Sequence, residues 1–377
     1  MHRRVKGLVS LMAVIVVAIP GAQAEAETAA VLSAKQHQQI DDSVSRALKW
    51  LVKQQLKNGS FGPDENAEPA ITSLCLLALL ALLARGHSPT EEHYGAVIDK
   101  GINFVLSCQK RSGLIVHLLP GPAHKDSRPS HTAIYTHAIR GLLLCELYGM
   151  VEVTRTAEMR QVIRQALDYT RTTQLDSKVS PADIGGWRYI YPTSPSSDLS
   201  VTSWQLLFLR SAKSAGFEVP SQWIDEAKEY VARCFSESTG AFGYASHGAT
   251  HEVPYRAMTG AGILSLSLAG THNTSMARSA GNWLLEQPFR VYEEELGSFQ
   301  NFHYSAFYCS QAMFQLGKPY WSRFYPILVE TLLRHQQSDG RWTVDARGDK
   351  RFGDTFRTAL AVLALSPPYQ VLPIFQR

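Results

Sequence analysis

The chain has 377 residues, of which 45% are apolar and 19% are charged, so it can bury a large core and is not intrinsically disordered. Its formal charge is +4, but Arg3, Arg4 and Lys6 lie in the first 24 residues, and the rest of the chain carries +1. This balance argues against nucleic acid as a partner, because a nucleic-acid-binding protein needs a basic face.

The first 24 residues have the pattern of an export signal. A basic start precedes an apolar run from Leu8 to Ile19, and Ala22-Gln23-Ala24 fits a cleavage site made of small residues. The run is shorter than the roughly 20 residues that a membrane span needs. We therefore expect cleavage near Ala24 and export to the periplasm or the medium, with an uncleaved N-terminal membrane anchor as the alternative. No transmembrane segment is expected in the mature chain.

The mature chain contains five cysteines, an odd number that leaves at least one without a disulfide partner. Three of them, Cys75, Cys145 and Cys309, fall in apolar stretches. Buried, unlinked thiols are therefore expected rather than a disulfide framework.

The sequence contains an internal repeat, marked by a glycine followed two places later by an aromatic residue. The glycines are spaced 54, 72, 55, 57 and 43 residues apart, which indicates six copies of one structural unit. The markers, of which the second is degenerate, are Gly59-Ser60-Phe61, Gly113-Leu114-Ile115, Gly185-Gly186-Trp187, Gly240-Ala241-Phe242, Gly297-Ser298-Phe299 and Gly340-Arg341-Trp342.

An amphipathic helix is predicted before each marker. In the first copy, Val44, Ala47, Leu48, Leu51 and Val52 recur at the spacing of one helix face. Such a helix buries one stripe and exposes the rest. The same pattern recurs in five later stretches, at residues 97–105, 159–167, 224–232, 280–284 and 324–328.

A second helix, apolar on nearly all sides, is predicted after each marker. A helix with this composition is buried, and these stretches are too short to span a bilayer. Its first turns align as Ile71-Thr72-Ser73, Tyr135-Thr136-His137, Val201-Thr202-Ser203, Met258-Thr259-Gly260, Tyr308-Cys309-Ser310 and Arg357-Thr358-Ala359.

Two kinds of helix in every repeat predict two concentric layers, with six buried helices in a ring and six amphipathic helices around it. A closed ring gives each inner helix two neighbours, whereas an open solenoid needs polar capping repeats, and neither end of the chain has one. The predicted fold is all-α: a single-domain (α/α)6 toroid over residues 41–377, after a signal peptide (1–24) and an N-terminal linker (25–40).

The segments at residues 55–61 (Gln-Leu-Lys-Asn-Gly-Ser-Phe) and 336–342 (Gln-Gln-Ser-Asp-Gly-Arg-Trp) resemble the Q-W repeat of the squalene–hopene cyclase and prenyltransferase superfamily. The resemblance extends through six repeats over nearly all of the mature chain. It implies that Gln55 and Gln337 tie neighbouring helices together, and that Phe61 and Trp342 stack on the next repeat. Hopene cyclases have two helical domains, whereas this chain has room for one.

The acid motif that this resemblance implies is incomplete. Class II cyclases protonate their substrate with the middle acid of Asp-x-Asp-Asp-Thr, and the nearest match is Asp198-Leu199-Ser200-Val201-Thr202, which has a serine there. A serine is too weak an acid to protonate an alkene. Asp354 and Thr355 retain only the end of such a motif. The Asp-x-Cys of the prenyltransferase zinc site does not occur either, so neither a metal nor a cofactor is expected.

Candidate site residues cluster near the starts of the inner helices, where the positive ends of the helix dipoles meet the central cavity. Glu68, Asp198 and Asp354 stand four residues before aligned threonines, where three carboxylates can hold a cation or act as acid and base. The alternative for Asp198 and Asp354 is to cap their helices, a role compatible with facing the cavity. The catalytic candidates are Asp354, then Asp198, with His131 and His303. The ligand-binding candidates are Tyr135, Tyr189, Tyr191, Trp204, Tyr255, Arg256 and Tyr304.

Three functions remain open from the sequence. The first is an isoprenoid or other apolar ligand bound in the central cavity, with non-standard cyclase chemistry based on Asp354 or Asp198. The second is a glycan-active, lyase-like enzyme that uses His131, Tyr135, Arg256, His303 and Tyr304. The third is a recognition scaffold without catalysis. The fold does not choose among them, whereas the central cavity does. An apolar cavity with one acid favours the first function, a polar open groove with clustered His, Tyr and Arg the second, and a cavity plugged by side chains the third.

Overall fold

The structure is a computed structural model. The residues that it describes are 31–62, 70–80, 92–117, 132–151, 153–190, 196–292, 302–343, 352–370 and 372–376. The predicted signal peptide, Glu68, His131, Tyr191 and the marker at Gly297 lie outside these residues.

The described residues form twelve α-helices and one short antiparallel hairpin. The helices are α1 (Ala34–Val52), α2 (Ile71–Leu79), α3 (Glu92–Ser107), α4 (Ala133–Leu147), α5 (Val153–Gln174), α6 (Leu199–Ser214), α7 (Ser221–Arg233), α8 (Arg256–Leu268), α9 (Ser275–Leu285), α10 (Phe302–Leu316), α11 (Lys318–His335) and α12 (Gly353–Leu365). The hairpin pairs β1 (Phe235–Ser236) with β2 (Ala241–Phe242).

The helices alternate in burial as the two sequence patterns predict. All nine residues of α2 are buried, whereas α1 buries only a stripe that includes Val44, Leu48 and Leu51. Helix α1 begins at Ala34, inside the stretch predicted as a linker. Ser33 and Gln36 start it with a reciprocal capping box, which satisfies backbone N–H groups that a helix start leaves unpaired.

The even-numbered helices form the inner ring. Each packs against the next in the order α2, α4, α6, α8, α10 and α12, and α12 packs against α2. The odd-numbered helices lie outside them, and α11 packs against α1. The predicted toroid is therefore confirmed as a closed ring with one continuous hydrophobic core.

The marker glycines lie where a turn touches the next outer helix. Gly59, Gly185 and Gly340 have φ values of +93°, +89° and +101°. A Cβ added to Gly185 would lie 2.2 Å from the carbonyl oxygen of Glu226 in α7, and one on Gly340 would lie 2.5 Å from the backbone of Arg46 in α1. Glycine is needed for both the backbone angle and the close approach, and the last repeat uses it to join the first.

Five marker turns lie within the described residues, and each is also bonded to its own inner helix. The backbone N–H of Trp187 donates to the hydroxyl of Thr202 at 3.1 Å. In the second repeat the acceptor is the residue after the aligned Thr136, since the N–H of Ile115 donates to Nδ1 of His137. Four aligned threonines are thus structural acceptors; the other three bonds join Phe61 to Thr72, Phe242 to Thr259 and Trp342 to Thr358.

Within the described residues, glutamines tie four of the repeats to the next outer helix. As predicted, Nε2 of Gln55 donates to the carbonyl of Val97 in α3 at 2.8 Å. In the last repeat, the prediction of Gln337 is wrong, because Gln336 donates to the carbonyl of Ser43 in α1 at 2.8 Å. The reason is register: Gln55 and Gln336 both stand four residues before their glycines, and Gln337 is exposed.

The segment after α12 crosses the end of the ring at which the inner helices finish. Its 3₁₀ turn Pro373–Phe375 packs against α6, which lies opposite α12 in the ring. Gln315 at the end of α10 donates to the carbonyl of Phe375, and the N–H of Ile374 donates to Glu146 at the end of α4. This segment therefore covers one end of the central space.

All five cysteines are among the described residues, where they are buried and form no disulfide. Across the same residues, no helix is both long and apolar enough to cross a bilayer.

Candidate functional site

Aromatic side chains converge at the other end of the ring, where the inner helices begin. We call the set the aromatic cluster: Tyr135 of α4, Trp204 of α6, Tyr304, Phe307 and Tyr308 of α10, and Tyr189 and Tyr244 from the turns before α6 and α8. Trp204 stacks on Phe307, with 5.4 Å between ring centroids and 5° between planes. The ring centroids of Tyr135 and Tyr189 lie 5.7 Å apart. The ring fold thus brings four predicted ligand-binding residues together.

The cluster has a buried floor and a partly exposed rim. Trp204, Phe307 and Tyr308 are buried, and they fill the centre. The rim consists of the four other members, which keep part of their surface exposed: Tyr135, Tyr189, Tyr244 and Tyr304. We call this aromatic-lined surface, a filled centre ringed by four partly exposed tyrosines, the bowl.

The polar atoms of the rings bond to one another. Trp204 Nε1 donates to the phenol of Tyr304 at 3.1 Å. The phenols of Tyr189 and Tyr244 share a hydrogen bond of 2.8 Å. Because these groups are paired, phenols and indole can line an otherwise apolar site without a large desolvation cost.

A carboxyl group, Asp198, lies beneath this lining and is fully buried. Its Oδ1 accepts from the backbone N–H of Val201 at 2.9 Å, so Asp198 caps α6. The predicted cap is therefore present, and the catalytic role of Asp198 stays a prediction. Burial raises the pKa of Asp198, and the positive charge of Arg188 partly opposes the shift.

Arg188 is the cation beside this carboxyl. Its Nη1 lies 3.6 Å from Oδ2 of Asp198, and its guanidinium lies 5.6 Å from the ring centroids of both Tyr189 and Tyr244. A guanidinium over two phenol rings gains cation–π attraction. The bowl therefore holds one balanced charge pair within an aromatic shell.

Asp354, the first-ranked acid, has a different environment. It lies in the first turn of α12 rather than at the cap, and its side chain is 27% exposed. Arg357 contacts one of its oxygens at 3.4 Å, and Arg341 contacts the other at 3.6 Å. Asp354 is thus an ion-pair partner of two arginines.

His303 and Arg256 contact the segment that follows α9. The Nε2 of His303 shares a hydrogen bond of 3.0 Å with Tyr292, and the guanidinium of Arg256 lies 4.5 Å from the ring of Phe289. Burial lowers the pKa of His303 to about 3, so its imidazole is neutral near pH 7. Tyr255 precedes α8 at its N-cap position.

Sequence analysis missed Tyr244, Phe307 and Tyr308 as members of the site. A signal for Tyr244 was present, because it follows the marker aromatic Phe242 by two residues, as Tyr189 follows Trp187. Both turns bring that tyrosine to the rim. Within the described ranges, no group of three or more His, Cys, Asp and Glu residues is arranged to hold a metal ion.

Comparison with known proteins places this architecture among helical toroids. Residues 26–174 match the family model of the prenyltransferase alpha-alpha toroid domain. No curated protein matches the sequence.

Solved structures with the same fold include a terpene cyclase and mannan-active enzymes. A variant of the type II terpene cyclase MstE from Scytonema, in complex with its substrate geranylgeranyl dihydroxybenzoate, is 12% identical; the match covers 90% of this chain and all of that one, with a TM-score of 0.58. An inactive variant of an alpha-1,6-mannanase from Salegentibacter sp. HEL1_6, in complex with alpha-1,6-mannotetrose, is 11% identical. The match covers 88% of this chain and 99% of that one, with a TM-score of 0.63. A family 76 glycoside hydrolase (mannosidase) from Bacteroides thetaiotaomicron is 14% identical. The match covers 88% of this chain and 98% of that one, with a TM-score of 0.61.

Identities this low establish the fold and not the activity. Together with the family match, they confirm the resemblance to the toroids of the cyclase and prenyltransferase superfamily.

Proposed function

We propose that this cyclase- and prenyltransferase-like toroid binds an isoprenoid or other apolar chain in the aromatic bowl at the centre of its ring. The observation that carries the proposal is the meeting of seven aromatic rings with the buried carboxyl group of Asp198. Aromatic faces offer large apolar area to a hydrocarbon chain and stabilise positive charge on it. We also propose that the protein is exported after cleavage near Ala24.

If the site also protonates its ligand, we propose Asp198 as the acid in place of Asp354. Burial among the rings favours the neutral, proton-bearing form of Asp198. Asp354 is engaged in ion pairs with Arg341 and Arg357 and lies outside the aromatic cluster. The order of the two candidates given by the sequence is thereby reversed.

A glycan is the second candidate ligand, since two mannan-active structures share the fold and tyrosine rims can stack on sugar rings. The inactive mannanase has two adjacent aspartates replaced. The single adjacent pair in this sequence, Asp41 and Asp42, lies on outer helix α1, where Asp41 accepts a hydrogen bond from Tyr369. That position favours glycan binding over glycan hydrolysis as the alternative.

The proposal is tested on the purified mature protein. Organic extraction and mass spectrometry, with a denatured aliquot as control, are expected to recover a bound lipid in stoichiometric amount. Calorimetric titration with farnesol, geranylgeraniol and alpha-1,6-mannotetrose then separates the two ligand classes.

Matched variants locate the site. Tyr189→Ala removes one rim ring and is expected to weaken prenol binding about tenfold, because a stacked aromatic contributes on the order of 1 kcal/mol beyond its buried area. Trp223→Ala removes a ring from outer helix α7, where it packs on Arg171, and is expected to leave binding unchanged. Prenols that fail to bind the wild-type protein, or equal losses in both variants, would overturn the proposal.

A further inference from the structure

A chain of hydrogen bonds connects the buried carboxyl group of Asp198 with the rim of the bowl. The phenol of Tyr135 donates a short hydrogen bond to Oγ of Ser200. The hydroxyl of Ser200 donates in turn to Oδ1 of Asp198 at 2.5 Å. Ser200 stands where the class II cyclases carry their acid. The middle member of this hydrogen-bond chain is therefore the residue at which the sequence departs from the cyclase motif.

We infer that Tyr135, Ser200 and Asp198 form a relay through which the bowl recognises a hydroxyl group at the end of its ligand. The inference rests on the proposed function and narrows the ligand class to apolar alcohols. Asp198 is fully buried and Ser200 nearly so, whereas Tyr135 keeps part of its surface exposed at the rim. Tyr135 is therefore the residue that contacts the ligand. Ser200 and Asp198 determine whether its phenol donates or accepts a hydrogen bond.

The direction of the bonds follows from counting hydrogens. An ionised Asp198 only accepts, and its Oδ1 already takes hydrogens from Val201 and Ser200. The single hydrogen of Ser200 is thereby used, so the hydrogen of Tyr135 points to Ser200. The phenol oxygen of Tyr135 is then an acceptor toward its other neighbours and toward a ligand among them. An alcohol supplies the donor that this oxygen takes, whereas a hydrocarbon or an aldehyde supplies none.

Protonation of Asp198 reverses the chain. A neutral carboxyl donates to Ser200, Ser200 donates to Tyr135, and Tyr135 presents its hydrogen to the bowl. Each oxygen passes one hydrogen on and receives one, so the only net change is the added proton. The bowl then favours a ligand oxygen that accepts, such as that of an aldehyde.

Asp198 is the acid of the relay, and burial raises its pKa above the ordinary value. Because burial raises their pKa values above the ordinary ones, the neighbouring phenols and the thiol of Cys234 stay neutral at physiological pH. The groups that face Asp198 are Arg188, Tyr189 and Tyr244 from the turns, Tyr135 of α4, Tyr230 of α7, Cys234 after it, and Tyr308 of α10. Asp183 in turn faces Tyr230 and Cys234.

The binding test compares farnesol, farnesal and the hydrocarbon farnesene over a series of pH values above the ordinary pKa of an aspartate. The wild-type protein is expected to bind farnesol about three- to tenfold more tightly than farnesene at the upper end of the series, the value of one hydrogen bond. This preference is expected to shrink, and that for farnesal to grow, as the pH falls through the raised pKa of Asp198. Ser200→Ala and Tyr135→Phe are expected to remove both effects.

Ser203→Ala is the matched control, because Ser203 is also buried in α6 and bonds a phenol of the cluster, that of Tyr308, outside the relay. It is expected to keep the alcohol preference and its pH dependence. An alcohol preference that survives in Ser200→Ala, or is lost equally in Ser203→Ala, would overturn the relay.

A measurement without ligand keeps the relay and the proposed function separable. The carboxyl titration of Asp198 is followed by carbon NMR in the wild-type protein and in Tyr135→Phe, whose altered atom does not touch the carboxyl. A relay predicts a shifted midpoint in Tyr135→Phe and in Ser200→Ala, and none in Ser203→Ala. An unshifted midpoint in Tyr135→Phe would overturn the relay even if prenols bind. If no prenol binds the wild-type protein, the proposed function fails and the midpoints still decide the relay.

Discussion

Single glycines decide how closely the repeats approach one another. Gly185 has a φ of +89°, and a methyl group there would lie 2.2 Å from the carbonyl oxygen of Glu226. Gly185→Ala is therefore expected to lower the free energy of unfolding by at least about 3 kcal/mol, since it combines backbone strain of about 1–2 kcal/mol with displacement of α7. Urea denaturation measures the loss.

Gly216 separates the two contributions. Its φ is +85°, and nothing lies within 4 Å of an added methyl group. Gly216→Ala is expected to cost only the backbone strain, about 1–2 kcal/mol. Equal losses in the two variants would show that the contact with Glu226 is unimportant and that the backbone angle alone selects glycine.

At the scale of elements, one glutamine joins the last repeat to the first. Nε2 of Gln336 donates to the carbonyls of Ser43 and Gly340, and its Oε1 accepts from Arg46 at 2.5 Å. Gln336→Ala is expected to destabilise the protein by about 1–3 kcal/mol, because it leaves the Ser43 carbonyl without this donor. Thermal unfolding followed by circular dichroism measures the change.

The adjacent residue provides the control. Gln337 is exposed, and Gln337→Ala is expected to change the free energy of unfolding by less than about 0.5 kcal/mol. Should the Gln337 variant be the less stable one, the tie between α11 and α1 would have to be assigned as the sequence pattern first indicated.

The elements show which features the sequence could predict. Helix type, repeat number and ring closure follow from spacing that is local or periodic, such as the apolar stripe of α1 and the marker glycines. To identify Gln336 as the tying residue, two repeats have to be compared: Gln55 and Gln336 stand at the same distance before their marker glycines. The meeting of Tyr244 with Tyr189, and of Arg188 with Asp198, depends on how two turns fold over the ring start, which no helical period encodes.

At the scale of the whole molecule, the ends of the ring differ. One end carries the aromatic bowl, and the final segment of the chain covers the other. Glu146 at the end of α4 joins this segment to the ring, because it accepts from Ser211 of α6 at 2.5 Å and from the N–H of Ile374 at 3.4 Å. Burial raises the pKa of Glu146 from its ordinary 4.5 to about 7, although both hydrogen bonds oppose the shift.

This raised pKa makes the covered end sensitive to pH. Below about pH 4.5, Glu146 carries a proton in both the folded and unfolded states. Between about pH 4.5 and about pH 7 the folded state retains the proton that the unfolded state has released, so stability falls as the pH rises. The loss attributable to Glu146 is on the order of 3 kcal/mol.

Glu146→Gln removes this charge and keeps a neutral side chain of the same shape. The variant is expected to match the wild-type protein within about 1 kcal/mol near pH 4.5 and to exceed its free energy of unfolding by on the order of 3 kcal/mol near pH 8. Urea titrations at several pH values give the difference, in which other titrating groups cancel. Glu330→Gln, at an exposed ion pair with Arg334, is the control and is expected to give a difference near zero throughout. If the difference in unfolding free energy between Glu146→Gln and the wild-type protein stays constant with pH, Glu146 is ionised in the folded protein. It then accepts the N–H of Ile374 as a carboxylate.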